Sequence, residues 1–193
     1  MSQVGFFQKL KQVLTGQRLE PLPVSDAEAL YYHILKCSRA LSLYRDYGVE
    51  DSIDGRFDSL CLFQSLVMCR LKRTNDELII LSQGLFDAMF QDMDLTLREM
   101  GVGDMGVGKR VKFMSEAYMG RLSAYDKALE ETGDEALIEA LHRNLYRDGE
   151  VTGDAVQLAV KVREIQKRLA HLPDDGFAQA ALAPDVFAIE DDG

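Results

Sequence analysis

A cluster of glycines in the middle of the chain has the spacing that most resembles a site of chemistry. Gly101, Gly103 and Gly106 match the GxGxxG pattern of dinucleotide-binding proteins, and Gly103, Gly108 and Lys109 match a P-loop that lacks its Ser or Thr. Both motifs need a β-strand before the loop, so that the helix after it can aim its amides at a phosphate. Here a helical pattern precedes the glycines. The sequence therefore favours a tight turn between two helices, with Gly101 as a left-handed helix stop.

Glu139 and His142 have the spacing with which ferritin-like proteins place a carboxylate and an imidazole on one helix face. A di-iron site of that kind needs two such motifs and a glutamate from each of two further helices. His33 and His171 have no glutamate three residues before them. A metal-dependent helical-bundle enzyme is therefore only an alternative, and we predict no catalytic residue, no metal and no cofactor.

Charged side chains flank the glycine cluster on both sides. Asp87 and Asp94 lie seven residues apart on the polar face of a predicted helix, which suits a contact with a basic partner better than acid–base catalysis. Lys109, Arg110 and Lys112 form the dense basic cluster of the chain. These cations either balance nearby acids or bind an anionic partner such as RNA or lipid headgroups.

The composition bounds the class of protein. The 193 residues are 47% hydrophobic and 28% charged, which is typical of one soluble globular domain. The formal net charge of −10 argues against DNA binding through a broad basic face. The longest uncharged run, Ser59–Cys69, is shorter than the roughly 20 residues that a membrane-spanning helix needs. We therefore expect a cytoplasmic protein that makes, at most, peripheral contact with a membrane.

The spacing of apolar residues predicts an all-α fold, a single domain of about seven helices. All four prolines lie before residue 24 or after residue 172, and no alternating pattern predicts a strand. Between Arg56 and Arg73 apolar residues point in every direction, which predicts a central, buried helix. We predict a short N-terminal helix and linker over 1–24, the helical domain over 25–172, and an acidic mobile tail over 173–193.

The helix predicted up to Met100 carries an apolar arc wide enough to contact two neighbours, or one neighbour and a bound client. We expect Phe90 to be core, and Phe86 or Met93 to lie in a groove. The residues predicted to bind a hydrophobic client are Phe86, Met89, Phe90, Met93 and Met100. Those predicted to orient it are Asp87, Asp94, Arg98, Lys109, Arg110 and Lys112.

Seven segments share their residues with a known family, and the likeness is most specific between Phe86 and Lys112. The segments are Asp54–Phe57, Leu60–Phe63, Gln83–Asp94, Leu97–Asp104, Lys109–Lys112, Tyr118–Tyr125 and Ala140–Tyr146. On these segments the chain resembles the ubiquinol–cytochrome c chaperone family, which assembles respiratory complex III. The likeness extends roughly from Asp26 to Leu172.

The resemblance implies an all-α chaperone without catalytic residues that binds newly made cytochrome b until haem insertion and assembly. In mitochondria it also implies contact with the ribosome and with a small partner subunit. This chain shows no mitochondrial presequence, so we expect a bacterial form in the cytoplasm, peripheral to the inner membrane, for which those two partners stay open. A membrane-surface adaptor that uses the terminal helix Phe6–Leu14 is the alternative from a different class.

Overall fold

The computed structural model describes residues 24–72, 76–147 and 153–189, and within these residues the fold is helical throughout, without a strand. The all-α prediction is therefore confirmed, whereas the terminal helix predicted over residues 6–14 lies outside the described residues. In chain order the helices are α1 (Val24–Cys37), α2 (Leu41–Arg45), α3 (Ile53–Leu71), α4 (Asp76–Glu99), α5 (Asp104–Glu130), α6 (Glu135–Leu145), α7 (Gly153–His171) and α8 (Phe177–Ala180).

Helix α3 is the centre of the fold, as its all-round apolar pattern predicts. The Ser52 hydroxyl caps the helix by accepting from the Gly55 N–H at 3.1 Å. Every residue from Asp58 to Cys69 is buried, and α1, α4, α5, α6 and α7 all pack against the helix. The buried Gln64 amide donates to the Leu85 carbonyl at 2.9 Å, which joins α3 to α4. A helix surrounded in this way supplies the fixed frame on which the outer helices are held.

Helix α4 is also held by α1, through a close approach at a glycine. A Cβ atom at Gly84 would lie 2.6 Å from the Cβ of Ala27, so the two backbones pack more closely than larger residues would allow. Further along, the buried Tyr31 hydroxyl donates to the Asp92 carboxylate at 2.7 Å. Burial, together with this hydrogen bond, raises the pKa of the Tyr31 phenol. These contacts hold α4 in place on the N-terminal side of its last two turns, which carry part of the candidate site.

The Arg163 guanidinium on α7 makes several hydrogen bonds to the end of α5 and to the turn after it. Arg163 donates to the carbonyl oxygens of Leu129 at 3.1 Å and Gly133 at 2.6 Å, and to the Asp134 carboxylate at 3.0 Å. It thereby satisfies acceptors that the C-terminus of a helix leaves without intrahelical partners. The sequence gives no local signal for this arrangement, because Arg163 is 30 residues away from the turn that it holds.

The C-terminal segment differs from the mobile tail predicted from residue 173. Up to residue 189 it packs on the core, and Phe177 and Phe187 are both buried. The Phe187 ring centroid lies 6.2 Å from that of Phe63, and the Arg70 guanidinium lies 5.3 Å from the Phe177 ring centroid. The apolar residues of this segment follow neither a helical nor a strand period, so their role in the core could not be predicted from spacing. Residues 190–193 lie outside the described part.

None of the helices in the described ranges combines the length and the apolar character that crossing a bilayer requires.

Candidate functional site

Helices α4 and α5 form an antiparallel hairpin whose turn contains the glycine cluster. Gly101 has a φ angle of +82°, the left-handed conformation predicted for it. Its N–H donates to the Arg98 carbonyl at 2.9 Å, and the Val102 N–H donates to the Leu97 carbonyl at 3.0 Å. These two bonds form a Schellman motif, the usual C-terminal stop of an α-helix. The glycines therefore connect two helices, and no strand precedes them as a nucleotide-binding loop would require.

Two of the residues predicted to orient a client instead brace this turn. The Arg98 guanidinium binds the carboxylates of Asp94, one turn earlier, and of Asp104, at the start of α5. Hydrogen bonds to Asp94 and then to Asp104 raise the pKa of Arg98. The other predicted orienting residues, Asp87 and the basic cluster Lys109, Arg110 and Lys112, are exposed.

The first half of the predicted client stripe is core. Phe86, Met89 and Phe90 are all buried. The Phe86 and Phe90 ring centroids lie 4.6 Å apart, and each lies 6.1 Å from the ring centroid of Tyr118 on α5. In this structure the three side chains hold the hairpin together and offer no surface to a client. This corrects the client-binding prediction for Phe86 and Met89, whereas Phe90 is core as expected. The helical period showed which face of α4 is apolar, but it could not show that α5 covers that face.

The second half of the stripe extends beyond the core. Met93 is half-buried, and the Met100 side chain is 56% exposed. Because the two helices run antiparallel and Phe90 meets Tyr118, Met93 lies level with Met114, one turn before Tyr118 on α5. Met114 and Val111 are half-buried as well. The helical periods place these four residues, Met93, Met100, Val111 and Met114, near one another on the hairpin, and we call them the hairpin crevice.

Besides Met100, the end of the hairpin exposes three apolar side chains that were not predicted from the sequence. Of the nine large hydrophobic side chains exposed in the described residues, four lie between residues 95 and 113: Leu95, Met100, Met105 and Phe113. Met105 is 95% exposed and Phe113 is 71% exposed. The signal was present, since Met105 and Phe113 lie off the apolar stripe of α5, among the basic residues. A search for the periodic apolar face of a helix does not select residues that lie outside that face.

A buried ion pair fixes α5 against the central helix and was also missed. The Asp58 side chain on α3 is fully buried, 2.8 Å from an Arg121 nitrogen and 3.1 Å from an Arg147 nitrogen. Burial raises the pKa of the Asp58 carboxyl, while Arg121 and Arg147 oppose that rise. Arg147 also binds Asp54 at 3.1 Å. These four charges join both ends of the Asp54–Tyr146 stretch, on which much of the family likeness rests.

The metal-binding alternative finds no support in the geometry. Glu139 is exposed and His142 is half-buried on α6. Across residues 24–72, 76–147 and 153–189, no three His, Cys, Asp or Glu side chains come together as metal ligands would.

The hairpin and the helices around it lie in a part of the chain that is similar to known proteins. Residues 45–185 match the family model described as ubiquinol–cytochrome C chaperone. A solved structure, the crystal structure of the Cbp3 homolog from Brucella abortus, superposes with a TM-score of 0.73 at 30% identity, covering 93% of each chain. No curated protein sequence matches the chain significantly. The matched region includes most of the C-terminal segment that packs on the core, so the family fold extends beyond the predicted limit at residue 172. The chain belongs to the ubiquinol–cytochrome c chaperone family.

Proposed function

We propose that this protein is a non-catalytic assembly chaperone that binds newly made cytochrome b during the biogenesis of respiratory complex III. Membership of the chaperone family supports the role in complex III assembly. The observation that carries the binding of a hydrophobic client is the hairpin crevice, where the apolar stripe of α4 continues past the core. Soluble monomers seldom expose contiguous apolar surface without a use for it.

The crevice suits a membrane-protein client because three of its four residues are methionines. Methionine has three rotatable bonds and a polarizable sulfur, so it adapts to the varied surfaces of apolar helices. An apolar client helix would lie along α4 and α5 as in other helix-in-groove complexes. The backbone beneath is held by the Tyr31–Asp92 hydrogen bond and by the Asp58–Arg121 ion pair. A rigid frame with flexible side chains lowers the entropic cost of binding.

Charged side chains elsewhere on the same hairpin would orient the client. Asp87 on α4 and the cluster Lys109, Arg110 and Lys112 on α5 are exposed on the same hairpin. Charges at the rim of an interface mainly select the partner and its orientation, and add little to affinity. The client is inserted into a membrane as it is made, so the protein works in the cytoplasm beside the inner membrane. The ribosome and a small assembly subunit are further partners to test.

Co-purification of cytochrome b with the tagged protein from detergent-solubilised native membranes tests the proposal. Met93→Gln/Met100→Gln keeps the size of both side chains but makes them polar, and we expect it to abolish capture of cytochrome b. The melting temperature should change little, because neither residue is fully buried. The matched control is Val156→Thr/Val160→Thr, since both valines are exposed on α7. Undiminished capture by the methionine variant would contradict the proposed site.

A further inference from the structure

The outward face of the first turns of α5 combines apolar and basic side chains. Met105, Lys109, Lys112 and Phe113 fall within an arc of about 100° around the helix axis, because each residue turns the helix by about 100°. All four are exposed. Tyr118, on the opposite side of the helix, is fully buried. The four residues therefore form one face, which points away from the core, and we call it the α5 outer face.

The charge of this face is positive although the chain is acidic. One acid, Glu116, lies on the same side of α5 as the two lysines, and its carboxylate is 4.0 Å from the Lys112 ammonium, with both side chains mostly exposed. An exposed pair of this kind is weak. Asp104, at the start of the helix, is bound to Arg98. Salt screens charges beyond about 10 Å at 0.1 M ionic strength, so the face acts by its own charge despite the net charge of −10.

Exposed apolar side chains interleaved with lysines match one class of partner best. An RNA ligand would use the cations and could stack on Phe113, but it has no use for a methionine that is 95% exposed. A bilayer surface uses both kinds of side chain: apolar groups enter the boundary between headgroups and acyl chains, and lysines bind anionic headgroups.

We propose that the α5 outer face docks on an anionic lipid bilayer. Met105 and Phe113 insert at the headgroup boundary, and Lys109 and Lys112 contact the lipid phosphates. The inference deepens the proposed function, on which it rests, by naming the surface that holds the chaperone at the membrane where its client is made. Met93 and Met100 lie on another side of the same hairpin, so docking would leave the crevice open at the bilayer surface. The patch is small, and binding should therefore be reversible.

Flotation of the full-length protein with lipid vesicles tests the docking face. We expect flotation with an equal mixture of phosphatidylglycerol and phosphatidylcholine, less of it as salt is raised, and little with phosphatidylcholine alone. Lys109→Glu/Lys112→Glu should lower the partition coefficient about tenfold or more. Met105→Ser/Phe113→Ser should lower it as well, with unchanged circular dichroism. The control Lys36→Glu/Lys127→Glu makes the same change of charge at exposed lysines elsewhere and should float like the wild type.

Three outcomes would overturn the proposal. These are no flotation of the wild type with anionic vesicles, equal flotation of the wild type and both α5 variants, and binding of a labelled RNA in place of vesicles. Equal flotation would show that another segment contacts the bilayer. The test is separate from the proposed function, because capture of cytochrome b in detergent needs no bilayer. A Met105→Ser/Phe113→Ser protein that no longer floats but still captures the client leaves the chaperone role intact, whereas failure of capture alone leaves the docking face intact.

Discussion

At the turn between α4 and α5, the φ angle of Gly101 determines how a substitution there changes the stability of the protein. Gly101 has a φ angle of +82°, and a Cβ atom there would meet no atom within 4 Å. We therefore expect Gly101→Ala to destabilise the protein by about 1 kcal/mol through backbone strain alone. Gly120, inside α5, also has open space around it, and Gly120→Ala should instead stabilise by about 0.5–1 kcal/mol. Urea denaturation of the two variants measures both changes. Equal effects would show that the turn does not need its left-handed glycine.

The buried Asp58 carboxyl predicts a pH dependence whose sign follows from its environment. Burial raises its pKa in the folded state above the ordinary value of 3.8, against the opposing effect of Arg121 and Arg147. The folded state then holds the proton more tightly than the unfolded chain. The contribution of Asp58 to stability is complete below the unfolded pKa and is lost as the pH rises through the folded pKa.

Asp58→Asn removes this titration while keeping the shape of the side chain. We expect the free energy of unfolding of the wild type, measured relative to Asp58→Asn, to fall as the pH rises above the ordinary carboxyl pKa of 3.8. Urea titrations of both proteins at four pH values give the difference. A difference that grows with pH would mean that the two guanidiniums outweigh burial in setting the pKa of Asp58.

At the scale of the elements, the close approach of α1 and α4 allows a prediction about two residues, Gly84 and Ala27. A Cβ at Gly84 would lie 2.6 Å from the Cβ of Ala27 across the α1–α4 interface. Gly84→Ala should therefore destabilise by about 1–3 kcal/mol through overpacking, even though alanine is the better helix former. Ala27→Gly removes the clashing atom, so the double variant should be more stable than Gly84→Ala alone. Thermal denaturation of both single variants and the double variant gives the coupling. Additive effects would mean that α1 and α4 separate freely.

Sequence reasoning recovered the elements better than their ends. The central position of α3 followed from residues 56–73 being apolar all round, and the stop at Gly101 followed from its glycine. The structure ends α1 at Cys37 and begins α2 at Leu41, although no glycine or proline lies between them. The Ser38 hydroxyl donates to the Leu35 carbonyl at 2.9 Å, a local bond that competes with the continuing helix. Such competition depends on tertiary contacts that no periodic pattern records.

For the candidate site too, the helical period could not replace knowledge of the tertiary packing. The period of α4 placed Phe86, Phe90 and Met93 on one face, but only the packing of α5 separates the core residues from the half-buried one. Met105 and Phe113 lie off the apolar stripe of α5, so the sequence already indicated that they are exposed, but a search for the apolar face does not select them. A family resemblance names the client, whereas the surface that contacts it must come from the fold.

At the scale of the whole molecule, the chain is acidic, with a net charge of −10, and the basic cluster is a local exception to this. The cluster consists of Lys109, Arg110 and Lys112. All three are exposed at the start of α5. If they only balanced nearby acids they would matter little, because exposed ion pairs contribute about 0–1 kcal/mol. Reversing all three to glutamate should therefore leave the melting temperature within a few degrees of the wild type.

The same triple reversal should nevertheless abolish the accumulation of complex III in cells. Loss of the positive charge should remove the orientation of the client and, independently of it, the docking on anionic lipid. The matched control reverses Lys36, Lys127 and Lys167, which are exposed on α1, α5 and α7, and should accumulate complex III normally. Complex III measured on native gels, with the chaperone quantified in the same cells, separates loss of function from loss of protein. Normal complex III in the first variant would show that the cluster is only a solvated start of α5.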